Sequence, residues 1–263
     1  MSADLPSIAR SIWQWALERD FKGYDPYDGL NSRLLGPIAT HSRILRLALI
    51  QAVKKCPFNP RRLLLVPPGY NPKGLALFLS GISYLPELDR DDKAQALEQM
   101  ILSLASKTDG SPALSPNREL RTDISEDEVS AADSLAWGYN FPWQGRAFYQ
   151  PAWSPTVVCS SFVLDALDDS GSKFYPEVTR KLARFITKSF NIHRDDTGIC
   201  FSYSPIDDSR VFNASLFAAK ILARASRHDD RNAQQYQGLA ISACDYVAAR
   251  QKENGAWIYG EAD

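Results

Sequence analysis

What this chain has little of narrows it first. Histidine occurs three times and methionine twice in 263 residues. The four cysteines, Cys56, Cys159, Cys200 and Cys244, are scattered and lack the paired spacing of a zinc site or disulfide framework. No metal site is expected, and Cys159 and Cys244, inside apolar helical patterns, are expected as reduced core thiols. Neither sign of charge is in excess: 30 basic against 31 acidic residues leave a net charge of −1. No global field therefore draws the chain to nucleic acid or an anionic membrane. No run approaches the ~20 apolar residues of a membrane span. Met1 to Pro6 has no basic region, apolar stretch or small-residue cleavage site. The cytoplasm follows as the expected compartment, where the sequon Asn213-Ala214-Ser215 has no consequence. A phosphate-cradling glycine loop, a nucleophile elbow and a nucleic-acid motif are also missing, so no cofactor is implied.

What is there is helical. With 44% hydrophobic residues, the 263-residue chain can form one large domain with a substantial core. Apolar periodicity predicts helices over 5–19, 42–56, 71–85, 92–105, 156–167, 176–190, 212–225 and 234–250. In the first, Leu5, Ile8, Ile12, Trp13 and Ala16 form one apolar stripe. Helices 71–85, 156–167 and 212–225 are apolar on most sides and read as inner helices. Helices 176–190, with Lys181, Arg184 and Lys188 outward, and 234–250 read as outer ones. Eight helices make four hairpins. Residues 107–136 form a polar, mobile stretch on this reading, and the aromatic segment from Trp137 to Trp153 follows it.

The last hairpin runs into Gln251-Lys252-Glu253-Asn254-Gly255-Ala256-Trp257, where Gly255 supplies the positive φ that stops the helix and the indole folds back on it. An echo ends the preceding hairpin at Asp195-Asp196-Thr197-Gly198, with Gly198 and Gly255 57 residues apart. This punctuation resembles the α/α-toroid superfamily of terpenoid cyclases, prenyltransferases and carbohydrate-active enzymes. Tyr24-Asp25-Pro26-Tyr27-Asp28-Gly29, Trp137 to Arg146 and Gln251 to Tyr259 look like a bacterial toroid family found with cell-surface polysaccharide genes. The resemblance implies an all-α toroid of hairpins and a glycan-handling function: a hydrolase, lyase or epimerase acting on an oligosaccharide or other small ligand. An isoprenoid-binding or cyclising protein and a non-catalytic scaffold stay open beside it. Closed toroids of that type have six hairpins, so four imply an incomplete ring with an apolar edge. A second copy or a further C-terminal segment would cover that edge.

The candidate ligand-binding residues are Trp137, Tyr139, Trp143 and Arg146, with Tyr203, Trp257 and Tyr259 from later loops. Aromatic faces suit sugar C–H groups, and a guanidinium grips a carboxylate or phosphate. Asp25 and Asp28 are candidate general acid and base, although Asp before Pro and before Gly is also ordinary turn chemistry. His193 is a candidate for proton transfer. Asp89-Arg90-Asp91-Asp92 matches the acid motif of terpenoid cyclases formally but reads as the acidic start of a helix.

Overall fold

The computed structural model describes residues 4–85, 90–145 and 148–261. Ten α-helices lie among them: α1 (Leu5–Leu17), α2 (Gly36–Ala39), α3 (Arg43–Lys55), α4 (Pro72–Ile82), α5 (Arg90–Ser103), α6 (Glu126–Ala131), α7 (Val157–Asp169), α8 (Tyr175–Ser189), α9 (Phe212–Ala225) and α10 (Ala233–Ala248). Three antiparallel two-stranded sheets accompany them. They pair β1 (Trp143–Gln144) with β2 (Tyr149–Gln150), β3 (Ile192–Asp195) with β4 (Gly198–Phe201), and β5 (Arg210–Val211) with β6 (Gly260–Glu261). No helix among the described residues is long and apolar enough to cross a membrane.

Three helical hairpins, α4–α5, α7–α8 and α9–α10, build the scaffold, and α7 packs between α4 and α9. Side chains here dictate ends as well as faces. Asn71, Thr156 and Ser125 each accept a backbone N–H in the first turn of α4, α7 and α6, so these helices start where an orphan donor finds a side-chain oxygen. The main core runs from Leu75 and Leu79 on α4 through Val163 and Leu164 on α7 to Ala218 and Leu222 on α9. Burying an aliphatic side chain of this size contributes about 1.5–3 kcal/mol. A smaller cluster, Leu30, Ala39, Leu49, Ile50 and Val53, joins α3 to the loop before it.

The all-α toroid expectation is overturned. The strands make the fold mixed, and their lengths of two to four residues explain the miss: so short a segment carries no readable alternation. The expected fourth hairpin does not form either. The α3 helix packs on α2, on β1 and on the short 3-10 helix Asp28–Asn31, while α1 docks through Trp13, edge-on to Phe21 and Phe78. Only Trp13 and Ala16 of the α1 stripe are buried; Leu5, Ile8 and Ile12 are exposed. Among the helices expected to be inner, α4 keeps Leu77 52% exposed. Cys244 is exposed, whereas Cys159 is buried.

Side chains within residues 107–136 bond to neighbouring segments. Arg118 donates to the carbonyls of Leu104 (3.1 Å) and Ala105 (3.2 Å) beyond α5, and stacks over Trp153. Its burial lowers its pKa to about 10. Arg121 grips Glu128 within the α6 capping box, and this ion pair holds the Glu128 carboxyl down at about 2. The acid motif before α5 is only partly visible: Asp89 lies outside the described residues, and the helix backbone begins at Arg90.

Lys181, expected to face solvent, is 6% exposed. Its ammonium donates to the carbonyls of Ser130 (2.8 Å) and Ala132 (2.5 Å) at the end of α6 and lies 3.4 Å from Glu177. A cation there meets both the unpaired carbonyls and the negative end of the helix dipole. Lys181→Met keeps the stem but strands those acceptors, so urea unfolding should show a loss of about 2 kcal/mol. Exposed Lys188→Met should change stability by no more than about 0.5 kcal/mol. Equal stabilities for the two variants would remove Lys181 from the α6–α8 junction.

Candidate functional site

The site begins with the loop 23–31 between α1 and α2. Gly23 pairs with Gly69 through two backbone hydrogen bonds, which ties this loop to the segment entering α4. Within it, Asp28 is 3% exposed and both its oxygens accept the Arg61 Nε (2.9 and 3.1 Å). Arg61 also donates to the Asp25 carbonyl at 2.7 Å, and the Asp25 N–H donates to Asp28 at 3.0 Å. Burial raises the Asp28 carboxyl above its ordinary value, and this outweighs the lowering by its amide and guanidinium donors. Asp25 itself is half-buried. Its Oδ1 accepts the Tyr27 N–H at 2.9 Å, and burial again raises its pKa against the pull of Lys73, Arg61 and Lys54.

The aromatic segment arrives from the other side. Gly138 passes so close to Ser154 that a Cβ would sit 2.1 Å from its carbonyl oxygen, so only glycine lets the chain through. From there Tyr139 stacks on Phe141 (5.5 Å), and the β1–β2 hairpin carries Trp143 edge-on to Phe148 (5.3 Å) and Tyr203 (5.7 Å). Arg46 of α3 steadies the hairpin by donating to Gln144 (2.8 Å) and stacking on Tyr149. Asp207 shapes the loop of Tyr203, accepting the N–H groups of Ser204 (2.6 Å) and Ser209 (2.8 Å). Burial pushes the phenols of both Tyr139 and Tyr203 far above their ordinary range, so both stay protonated. Tyr259 reaches the same place because β6 pairs with β5 and its carbonyl accepts the Phe212 N–H.

These elements enclose a cavity of about 520 Å³, within the ~300–1,000 Å³ of ligand pockets. Its walls include Asp25, Tyr139, Trp143, Tyr203 and Tyr259, with Lys73 from the first turn of α4. The Trp143 Nε1 is buried without a hydrogen-bond partner among the described residues. A second cavity of about 270 Å³ adjoins it and shares Asp25, Asn71, Gly74 and Phe141.

Five of the expected residues therefore meet, while Trp137, Asp28, His193 and Trp257 lie elsewhere. Trp137 is fully buried in the core, its Nε1 donating to the Ile101 carbonyl at 2.8 Å. Asp28 borders the smaller cavity, but both its oxygens are taken up by Arg61. His193 lies on β3 beside Tyr246, lining a separate polar cavity with Ser202 and Arg210. Trp257 anchors the chain after Gly255 (φ +79°), its Nε1 donating to the Val247 carbonyl at 2.8 Å. Arg146 falls outside the described residues. Lys73 and Asn71 escaped sequence reading because they look like an ordinary helix start, and Arg61 because it reads as surface charge.

Among the described residues, no group of three or more His, Cys, Asp or Glu side chains is placed to hold a metal ion. The Cys159 thiol, pushed up to about 12 by burial, is not available as a nucleophile. Compared with family models, curated proteins and solved structures, the chain matches none.

Two outcomes follow from the geometry. Arg61→Met leaves the Asp28 carboxylate buried and uncompensated, so chemical denaturation should report a loss of about 3–5 kcal/mol. A loss below about 1 kcal/mol would mean that the pair does not hold the loop. The second concerns pH. A carboxyl whose folded pKa is raised binds its proton more tightly folded than unfolded. Its contribution to stability is thus greatest at low pH and falls as pH rises from 3.8 through the raised value. Asp25→Asn removes that titration and keeps the acceptor for Tyr27. The unfolding free energy of wild type minus that of Asp25→Asn should therefore decline with rising pH across that window; a flat or rising difference would contradict the raised value.

Proposed function

We propose that this chain binds a saccharide in the larger cavity, with ring faces against Trp143 and the tyrosines and with Asp25 as the group that exchanges a proton with it. The observation that carries this reading is the composition of one wall set: several aromatic faces, one half-buried carboxyl and one ammonium. Aromatic planes take the apolar face of a sugar ring, and the polar groups take its hydroxyls.

Asp28 is committed to Arg61, so the reading does not include the paired carboxylates of most glycosidases. Proton transfer falls to Asp25, whose raised pKa suits a general acid or base, with the protonated Tyr139–Tyr203 pair beside it. Lys73 lines the same cavity with its ammonium over the Phe162 ring, and an acidic sugar would compete with that ring for it. A carboxyl and a lysine among mostly apolar walls favour this over an isoprenoid ligand, and an open cavity favours it over a scaffold with a filled interior. The likeness of segments 24–29, 137–146 and 251–259 to a bacterial family found with cell-surface polysaccharide genes makes bacterial envelope glycans the context of this proposal.

A glycan array probed with labelled protein, followed by calorimetry on each retained sugar, tests this. Trp143→Ala should weaken binding on the order of tenfold, or ~1.4 kcal/mol. Exposed Ile241→Ala should leave it unchanged. Retention of no sugar, or equal affinity for wild type and Trp143→Ala, would sink the proposal.

A further inference from the structure

Gly74 is the third residue of α4, a position where alanine favours a helix by about 1 kcal/mol. Nothing among the described residues requires glycine there. Its φ lies outside the left-handed region, and a Cβ would meet only the Asn71 Cβ, at an ordinary 3.6 Å. The space beside it belongs instead to the two cavities, which both have Gly74 on their walls together with Asp25. Trp143 on the wall of the larger cavity and Asn140 on the wall of the smaller each also carry a buried polar atom, Nε1 and Oδ1, with no hydrogen-bond partner among the described residues. Leaving such atoms unpaired costs about 1–3 kcal/mol each.

Resting on the saccharide reading above, we infer that the two cavities are the two halves of one extended site, joined over Gly74, and that its ligand is an oligosaccharide lying across Asp25. One sugar unit occupies the tyrosine-walled cavity and the next occupies the cavity of Asn140, Phe21 and Tyr24. Sugar hydroxyls donate and accept, so a unit in each cavity has polar side chains on its wall to bond to, Asn71 and Lys73 in the larger and Asn31 and Asn140 in the smaller. The linkage between them then lies beside the Asp25 carboxyl, which places proton transfer at the glycosidic bond or the carbons flanking it rather than at a chain end. Glycine at position 74 serves to leave the crossing open.

The test uses two ladders of known sugars: glucose, cellobiose and cellotetraose, and galacturonic acid with its dimer and tetramer. Affinities come from ligand-observed nuclear magnetic resonance and calorimetry. In at least one ladder the dimer should bind on the order of tenfold or more tightly than the monomer. Gly74→Leu, which places a side chain in the crossing, should bring the ratio of the two affinities close to one. Thermal melting of that variant reports whether it is folded. Asn140→Ala, which only removes atoms, should lower the same ratio and gives an independent reading if Gly74→Leu unfolds. Sugars that bind wild type with no gain from monomer to dimer would overturn the extended site and leave the saccharide reading standing. A gain with length that neither variant reduces would do the same. If no member of either ladder binds, the saccharide reading fails and the extended site fails with it.

Discussion

Arg61 and Asp28 form the contact on which the candidate site hangs. Their side chains are 12% and 4% exposed, so each desolvated charge depends on the other. The same guanidinium holds the Asp25 carbonyl, and the same carboxylate holds the Asp25 amide. Four polar groups thereby set the backbone on both sides of Asp25 without using its own carboxyl. That carboxyl stays half-buried against α4, where burial raises its pKa and where both cavities meet it. A charge pair that adds little net stability can still specify one geometry, and here that geometry is a carboxyl kept on a cavity wall.

The rest of the scaffold brings aromatic side chains to that loop. Three helical hairpins make a row, and the short sheets act as clips, β1 packing on α3, β4 on α9 and α10, and β5 on α9. The β1–β2 hairpin delivers Trp143, the Asp207 network shapes the loop that delivers Tyr203, and β6 delivers Tyr259. None of these clips has a core of its own. Each is pinned by side-chain hydrogen bonds to a helix or a neighbouring loop, as Arg46 pins Gln144 and Arg250 pins Glu261. The cavity is thus made by irregular segments held on regular ones, an arrangement common to ligand sites.

Helix positions were legible because periodicity survives in any long amphipathic segment. The eight helices expected from spacing all form, with ends shifted by a few residues, and 212–225 coincides with α9. Faces were less legible. The α1 stripe looked like a core contact, yet Ile8 and Ile12 face solvent, because nothing local says whether a neighbour is present to cover them. Lys181 looked like a surface charge, yet it caps α6, a helix of six residues too short to be read. Two-residue strands such as β5 and β6 form only when segments distant in sequence meet.

The same division holds at the site. Composition and local chemistry determined that the 137–153 segment is aromatic, that Asp25 and Asp28 sit in a turn, and that Gly255 ends a helix. Tertiary packing decided which ring became a wall and which became core: Trp143 borders the cavity, whereas Trp137, six residues earlier, is buried against the Ile101 carbonyl. It also decided that Asp28 pairs with Arg61 while Asp25 does not, a choice made by a residue 33 positions away from Asp28. A side chain's type sets what it can bond to. Which partner it meets, and how much water is left around it, is set by contacts distant in the chain, and these fix burial, pKa and access.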